Sequence, residues 1–292
     1  MNFDQLLRSI KSRTAEGGGY SHKPGGPYRA DATAWAILAL STIPTERAAL
    51  QLACDQLAAT QAPDGRVPLA PEIAAAYWPT PMAVLAWKKA SCRQDEMGRA
   101  LNFIAGNSGL HFKREENAPY GHDTAIRGWS WIEGTHSWIE PTSLSVLALR
   151  ATGHARDSRT LEAVSMIMNR QLPSGGWNYG NTTVFGQELL PMPEHTGQAL
   201  CAVSGYVSVN DVRKSIEYLD GQRPSLKTPL SLCWSLFGLK AWKIDLPGLQ
   251  DQISSSLSLQ ERYGIYDTAS LAQLAIAHVS GADLLNYLGI ES

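Results

Sequence analysis

The sequence lacks three features that would assign it to a common functional class: a strong net charge, a long uncharged apolar run and closely spaced cysteines. It has 292 residues, of which 18% are charged, and a net charge of −2. Because it also has no run rich in Lys and Arg, we expect no nucleic-acid partner. No stretch reaches the uncharged length of a membrane-spanning helix, so we expect no transmembrane segment, while peripheral membrane contact stays open.

The cysteines are isolated in the sequence, since Cys54, Cys92, Cys201 and Cys233 include no C-x-x-C pair. Three of them lie in apolar helical contexts. They are therefore predicted to be small buried hydrophobic residues of a protein from a reducing compartment, with neither a disulfide nor a thiolate metal site. The N-terminal stretch has the charge alternation of an amphipathic helix and lacks the apolar core of a signal peptide, so a cytoplasmic location is expected.

What the sequence does have is an internal repeat. Six times a segment rich in Gly, Pro or aromatic residues leads to a threonine that opens an Ala- and Leu-rich run: Thr33, Thr80, Thr142, Thr196, Thr228 and Thr268. These runs are apolar nearly all round, which indicates helices that are buried on every side. The intervening stretches have one polar face, at about residues 2–13, 45–60, 95–106, 157–171, 210–222 and 246–260. Six pairs of outer and inner helices predict an all-α fold, an (α/α)6 toroid, as one domain over residues 1–292.

Two segments resemble a known repeat family. The Q-x-x-x-G-x-W element at Gln171–Trp177 and the run D-A-T-A-W-A-I-L-A-L at Asp31–Leu40 are similar to prenyltransferase and squalene-oxidocyclase repeats. Squalene–hopene cyclase, class II terpene cyclases and the β subunits of protein prenyltransferases share these repeats. The resemblance implies the toroid fold and an isoprenoid substrate.

If the six threonines are equivalent, the position two residues before each should face the same rim of a central cavity. These positions are Asp31, Trp78, Glu140, Glu194, Leu226 and Tyr266. The three acids Asp31, Glu140 and Glu194 are therefore the catalytic candidates. The alternative is that each acid only caps its own helix, where the helix dipole favours a negative charge.

The resemblance adds a role for Asp31. In class II cyclases the motif D-x-D-D-T-A contains the carboxyl that protonates the substrate, and Asp31 falls on that proton donor. The two neighbouring acids are replaced by Arg29 and Ala32. A carboxyl that protonates an alkene must be held in its protonated form, and an adjacent Arg29 favours the ionised form instead.

The resemblance to prenyltransferases bears on metal binding. Glu140-Pro-Thr142 and His195-Thr196 fall on the zinc ligands of those enzymes, but the thiolate ligand is replaced by Thr142. A zinc site that activates a thiol normally uses soft or imidazole ligands. We therefore predict no metal and no cofactor, and a histidine satisfied within the rim. Glu140, Glu194 and His195 could still hold a harder divalent ion.

Aromatic and histidine side chains are concentrated in the segments before the inner helices, most densely before Glu140. Such rings could stabilise a carbocation or line a pocket for an isoprenoid. The alternative is that they pack the loops against the end of the toroid. The predicted substrate-binding residues are Tyr28, Trp78, Trp129, Trp131, His136, Trp138, Trp177, His195 and Tyr266.

The favoured function is that of an isoprenoid-handling enzyme with an apolar small-molecule substrate. It would resemble a single-barrel class II terpene cyclase that starts cyclisation with an acid, an isomerase-type or lyase-type reaction. Chain size counts against this, because the resembled cyclases usually place the active site between two barrels. The alternatives are a carbohydrate-active enzyme with paired acids, or a non-catalytic toroid that binds a prenyl group or a protein partner.

Overall fold

The computed structural model describes residues 3–43, 46–114 and 118–291. Residues 2 and 45, the first residues of two predicted helices, lie outside these ranges. The helices, in chain order, are α1 (Phe3–Lys11), α2 (Ala30–Leu40), α3 (Arg47–Ala59), α4 (Pro79–Ala90), α5 (Gln94–Gly106), α6 (Ile139–Ala151), α7 (Ser158–Asn169), α8 (Pro193–Val203), α9 (Val209–Gln222), α10 (Pro229–Ala241), α11 (Leu249–Ser258), α12 (Gln260–Tyr263), α13 (Thr268–Ser280) and α14 (Leu284–Tyr287). Short 3-10 turns lie at Pro71–Ile73 and Arg223–Ser225, and the strands are β1 (Thr183–Val184) and β2 (Gln187–Glu188).

The chain divides into two compact units. The first comprises Met1–Gly106 and Gly248–Gly281, and the second comprises Asn107–Pro247 and Ala282–Ser292. The single domain over residues 1–292 stays a prediction. None of the helices in the described ranges combines the length and hydropathy that crossing a bilayer requires.

The two predicted kinds of helix alternate along the chain and differ in burial. Every residue of α2 is buried, and in α6 all but the half-buried Glu140 are buried. The amphipathic α5 instead buries only Met97, Ala100, Phe103 and Ile104, which lie along one face. A helix that is apolar all round has to be surrounded by protein, whereas a helix with one apolar face packs with the other face in water. The predicted alternation is therefore confirmed.

In the first unit, α2 packs against both α4 and α13, and α1 packs against α13. The fully buried Arg13 joins the early and late segments of this unit. Its guanidinium donates to the Tyr266 carbonyl at 2.8 Å and to the Thr268 hydroxyl at 3.2 Å. Burial lowers the pKa of Arg13, and these hydrogen bonds offset part of the cost of burying its charge.

In the second unit, α8 packs against α10 and α6. The contact between α8 and α10 is close because glycines face each other: a Cβ added to Gly197 would lie 2.0 Å from the Trp234 carbonyl oxygen. The unit also contains an antiparallel hairpin of β1 and β2, which the sequence did not predict. Its turn residues Phe185 and Gly186 both have positive φ, 50° and 77°, as tight hairpin turns require.

The repeated threonines attach each loop to the helix that follows it. The buried hydroxyl accepts a backbone N–H from the preceding loop, and this satisfies a donor that no helix hydrogen bond reaches. The pairs are Tyr20 with Thr33 at 2.9 Å, Val67 with Thr80 at 3.0 Å, Trp129 with Thr142 at 2.9 Å and Trp177 with Thr196 at 3.0 Å.

The predicted equivalence of the six threonines does not hold for the last two, Thr228 and Thr268. Thr268 is buried but its hydroxyl donates to the Ser21 carbonyl at 2.5 Å and accepts from Arg13. Thr228 is exposed and lies just before α10, as its N-cap residue. The hydrogen bond between a loop N–H and the threonine hydroxyl is therefore common to the first four repeats.

The Q-x-x-x-G element joins a loop to the next amphipathic helix. Gln171 Nε2 donates to the Ser215 hydroxyl of α9 at 2.8 Å, and the Gly176 N–H donates to the same oxygen at 2.7 Å. Gly175 has φ +102°, and a Cβ there would lie 2.7 Å from the Lys214 backbone. Only glycine tolerates both this backbone conformation and this close approach.

Candidate functional site

The Trp-rich loop before α6 is held at both ends, and this positions its side chains. The Trp138 N–H donates to the Trp129 carbonyl at 2.9 Å, and the Ile139 N–H donates to the Tyr179 carbonyl at 2.9 Å. The buried Arg170 donates to the carbonyls of Ser137 and Gly180 at 2.9 and 3.0 Å. The loop therefore presents its rings to the first turn of α6 from a fixed backbone.

Glu140 is the centre of a polar and aromatic cluster in the second unit. The Trp131 indole N–H donates to Glu140 Oε2 at 3.1 Å. Gln198 Nε2, on α8, donates to Glu140 Oε1 at 3.5 Å. We use the name Glu140 cluster for Glu140, Trp131, Gln198, Tyr179 and His195.

The surroundings of Glu140 favour its protonated form. Burial of the carboxyl is the largest influence and raises its pKa, and the charge of Glu194 raises it as well. His195 and the hydrogen bonds from Trp131 and Gln198 act in the opposite direction, but the net shift is upward. Glu140 therefore holds its proton to a higher pH than an exposed glutamate does.

His195 is buried, with 4% of its surface exposed, and its tautomer follows from its neighbours. Its Nδ1 lies 3.0 Å from Gln198 Oε1, the oxygen of the amide whose nitrogen donates to Glu140. Because an amide oxygen only accepts, Nδ1 of the neutral ring must carry the proton. His195 Nε2 is then an acceptor, and within the described residues no group hydrogen-bonds to it.

Aromatic rings surround the polar members of the Glu140 cluster. The Trp131 and Trp138 rings stack with centroids 5.3 Å apart, and Tyr179 meets the Trp131 ring edge-on at 5.9 Å. The Tyr179 ring also lies 4.6 Å from the His195 ring. Since 48% of Tyr179 is exposed, it forms the side of the cluster nearest to solvent.

A cavity of about 120 Å³ lies next to the Glu140 cluster, because Trp138, whose ring stacks on that of Trp131, lines it. The predicted residue His136 lines it too, as do Tyr120, Phe112 and His122. Burial, and to a lesser extent the charge of Arg170, lowers the pKa of His122 to about 4. His122 was not among the predicted site residues, since no repeat position or motif marks it in the sequence.

Glu194 is also in the second unit, in the first turn of α8 beside His195. The Ser231 hydroxyl, on α10, donates to Glu194 Oε2 at 2.8 Å. Leu226, at the equivalent position two residues before Thr228, is half-buried. The second unit thus contains two of the three predicted acids, one of which lies at the centre of the cluster.

Asp31 is in the first unit and is 6% exposed. Arg29 donates two hydrogen bonds to its carboxylate, from Nε to Oδ1 at 2.9 Å and from Nη2 to Oδ2 at 2.7 Å. The hydrogen bond to Asp31 raises the pKa of Arg29. Both carboxylate oxygens of Asp31 are thus occupied by Arg29 in a bidentate pair. This arrangement is unfavourable for a side chain that has to donate a proton to a substrate.

The other predicted site residues of the first unit are Tyr28, Trp78 and Tyr266, and the hydroxyls of the two tyrosines have hydrogen-bond partners. The Tyr28 hydroxyl lies 3.1 Å from the Thr60 hydroxyl, and burial raises the pKa of Tyr28 to about 12. The Tyr266 hydroxyl donates to the Ser256 carbonyl at 2.8 Å. Trp78 is half-buried at the start of α4.

Two predicted substrate-binding residues are part of the core of the second unit. Trp177 is fully buried, and its indole N–H donates to the Ile167 carbonyl at 2.7 Å. Trp129 is 3% exposed, and the Arg159 guanidinium lies 3.9 Å from its ring centroid. Because their faces are covered by protein, these two rings pack the loop instead of presenting a surface to a ligand.

In the described ranges, no three His, Cys, Asp or Glu side chains are grouped so that they could hold a metal ion. The divalent ion at Glu140, Glu194 and His195 therefore has no support from the geometry. Gln198 is the member of the cluster that the sequence did not indicate, whereas Tyr179 is one of the aromatic residues that precede an inner helix. Gln198 lies three residues after His195 on one helix face, a spacing that could have identified it.

Comparison with known proteins gives matches at the level of structure. No family model matches the sequence, and no curated protein matches it. The type II terpene cyclase MstE from Scytonema, in complex with geranylgeranyl dihydroxybenzoate, matches with a TM-score of 0.62 and 14% identity over 97% of this chain and 99% of that chain. A protein from Actinoplanes matches with a TM-score of 0.58 and 14% identity over 99% and 100% of the two chains. An α-amylase from Clostridium perfringens matches with a TM-score of 0.60 and 9% identity over 95% and 97%.

At these identities the similarity shows the fold alone. The predicted class, an all-α fold of the α/α toroid type, is confirmed. The same class includes a terpene cyclase and an α-amylase, so the activity has to be argued from the side chains of the site.

Proposed function

We propose that this protein is an isoprenoid-handling enzyme, a terpene cyclase-like protein in which Glu140 starts cyclisation by protonating the substrate. The observation that supports this most directly is the half-buried Glu140, whose carboxyl has a raised pKa and lies beside the Trp131 indole. An acid that protonates an alkene has to keep its proton and be shielded from water. The raised pKa meets the first condition, and the partial burial of Glu140 contributes to the second.

The chemistry needs a second property, stabilisation of the cation that protonation creates. The proton moves from Glu140 to one carbon of an alkene, and the other carbon of that double bond becomes cationic. The rings of Trp131, Trp138 and Tyr179 around Glu140 can stabilise such a cation through their negative faces. The reaction ends when the cation loses a proton, and His195 Nε2, a buried acceptor, is suited to receive it.

The cyclase neighbour supports this proposal in two ways. It was solved in complex with geranylgeranyl dihydroxybenzoate, an apolar prenyl chain on an aromatic acid. It is also matched over 99% of its own chain, so this chain and the cyclase chain that holds that substrate are similar in extent. This similarity weakens the argument from chain size against a cyclase.

The test is to incubate the purified protein with prenyl diphosphates, squalene-type polyenes and a geranylgeranyl aromatic acid, and to identify cyclised products by mass spectrometry. We expect Glu140→Gln to abolish product formation, because the amide has no acidic proton. Asp31→Asn is the matched control, since Asp31 is paired with Arg29, and we expect it to retain most of the activity.

Two outcomes would contradict the proposal. Loss of activity in Asp31→Asn with retention in Glu140→Gln would assign the acid role to Asp31. The absence of both turnover and binding across the whole panel would show that the substrate is not an isoprenoid.

A second candidate, a carbohydrate-active enzyme, is favoured by a specific observation. Glu140 and Glu194 lie at the starts of the neighbouring helices α6 and α8, and the pair differs in environment, as the acid and base of a glycosidase do. The partly exposed Tyr179 and the stacked tryptophans could serve as a sugar platform. Release of reducing ends from oligosaccharides, lost in both Glu140→Gln and Glu194→Gln, would support this candidate against the cyclase.

A further inference from the structure

Two of the cysteines that are isolated in the sequence meet in the first unit. Cys54 lies on α3 and Cys92 follows the end of α4, and each thiol shifts the pKa of the other. Both residues line a cavity of about 360 Å³. Cys54 is buried, whereas Cys92 is half-buried. The predicted burial is therefore confirmed for Cys54, Cys201 and Cys233 and is wrong for Cys92, and the sequence did not predict that Cys54 and Cys92 share a cavity.

Backbone and ionic contacts hold the two segments side by side. Arg93 and Asp55, the residues that follow Cys92 and Cys54, form an ion pair in which Arg93 Nε donates to Asp55 Oδ1 at 3.0 Å. Trp87 adds two bonds: its indole N–H donates to the Cys54 carbonyl at 3.4 Å, and its carbonyl accepts from the Cys92 N–H at 3.1 Å. The approach of the two sulfur atoms is thus fixed by neighbours on both elements.

The charges around the pair make the two thiols unequal. The hydrogen bond from Cys54 lowers the pKa of Cys92, Arg93 lowers it further, and burial and the acids Asp55 and Glu96 act against them. The pKa of Cys54 is raised by its hydrogen bond to Cys92 and by burial. Lys89 and Arg47 also line the cavity. Cys92 is therefore the thiol of the pair that ionises more readily, and Cys54 is the one that holds its proton more firmly.

We propose that Cys54 and Cys92 form a peroxide-responsive thiol pair that closes to a disulfide between α3 and the segment after α4. The geometry that carries this inference is the position of both thiols on one cavity, together with the Arg93–Asp55 ion pair and the Trp87 hydrogen bonds that hold the two segments side by side. The oxidant is a hydroperoxide, and the site is one of modification, separate from the Glu140 cluster.

The reaction balances in two steps. The Cys92 sulfur attacks one oxygen of hydrogen peroxide, the O–O bond breaks, and the leaving hydroxide takes a proton to become water, which leaves a sulfenic acid on Cys92. The Cys54 sulfur then attacks the Cys92 sulfur, the S–O bond breaks, and the hydroxyl leaves as water with the Cys54 proton. Two thiols are oxidised, and one peroxide is reduced to two waters.

The experiment treats the fully reduced, full-length protein with hydrogen peroxide and then counts free thiols and maps disulfides by mass spectrometry of a non-reduced digest. We expect the four thiols to fall to two, with a linked peptide that contains Cys54 and Cys92 and disappears on reduction with dithiothreitol. Cys201→Ser is the matched control, because Cys201 is fully buried elsewhere, and it should still lose two thiols.

The variants separate the roles of the two sulfurs. Cys54→Ser should accumulate a sulfenic acid on Cys92 that dimedone traps, and Cys92→Ser should keep its thiols under the same treatment. Arg93→Ala should slow alkylation of Cys92 at neutral pH several-fold. A wild-type protein that keeps four thiols, or that is oxidised without a Cys54–Cys92 peptide, would overturn the proposal without reference to any variant.

Discussion

Replacing Thr196 by valine removes a single hydroxyl that attaches the Q-x-x-x-G-x-W loop to α8. The Trp177 N–H donates to this hydroxyl at 3.0 Å, and the hydroxyl lies 3.2 Å from the Trp177 carbonyl. Both residues are fully buried, so water does not replace a lost partner. Because His195, a member of the Glu140 cluster, directly precedes Thr196, a change in this attachment should also alter the cluster.

The expected cost follows from which groups lose a partner. The Trp177 carbonyl still accepts the Met192 N–H at 2.8 Å, so it stays satisfied. The Trp177 N–H is left buried without an acceptor, which costs about 1–3 kcal/mol. Valine has nearly the shape of threonine, so packing adds little to this figure.

The assay is urea unfolding followed by fluorescence and circular dichroism, with hydrogen exchange of the segment around Trp177 as a local measure. We expect Thr196→Val to lower the free energy of unfolding by about 1–3 kcal/mol and to speed exchange of that segment. Thr228→Val is the matched control, since Thr228 is exposed at the same repeat position, and it should change stability by less than about 0.5 kcal/mol. Equal effects of the two variants would refute the reasoning.

Three further predictions concern the second unit and its cluster. Burial lowers the pKa of His122 from 6.5 to about 4 in the folded protein, so between these pH values the unfolded chain binds a proton that the folded protein does not. The free energy of unfolding should therefore fall by about 3 kcal/mol as the pH is lowered over that range. In His122→Gln the fall should be much smaller. Gly197→Ala should lower the free energy of unfolding by about 1–3 kcal/mol, because the new Cβ meets the α10 backbone. Gly98→Ala is the control: a Cβ at Gly98 has open space around it, so this variant should be more stable by about 0.5–1 kcal/mol. Urea unfolding measures both changes. Dialysis against EDTA should leave activity unchanged, and a loss restored by a divalent ion would instead support a metal at the Glu140 cluster.

Much of the secondary structure could be predicted because it depends on local pattern. A helix that is apolar all round and a helix with one polar face differ in the sequence itself, and α2 and α5 differ in burial as their patterns indicate. The loop before α8 was recognisable from Gly175, because a positive φ is a local requirement of the backbone. The hairpin at Phe185 was missed, since its two-residue strands are too short for any alternation to show.

The candidate site was predictable only in outline. Glu140 and Trp131 were selected by position and residue type, but nothing in the sequence distinguished Trp131, which contacts Glu140, from Trp129, which is packed in the core. Both are aromatic residues of the same loop. What distinguishes them is how the loop is attached. The Trp129 backbone is hydrogen-bonded to the Thr142 hydroxyl and to the Trp138 N–H.

By itself, the sequence determined the order and the kind of the helices and the position of the acids at helix starts, because hydrophobic period and helix-start residues act over one or two turns. Only the tertiary structure decided which residues meet. The raised pKa of Glu140 depends on burial and on Glu194, and the pairing of Cys54 with Cys92 depends on α3 packing beside α4. Both are through-space effects between residues far apart in the chain, and no local pattern encodes them.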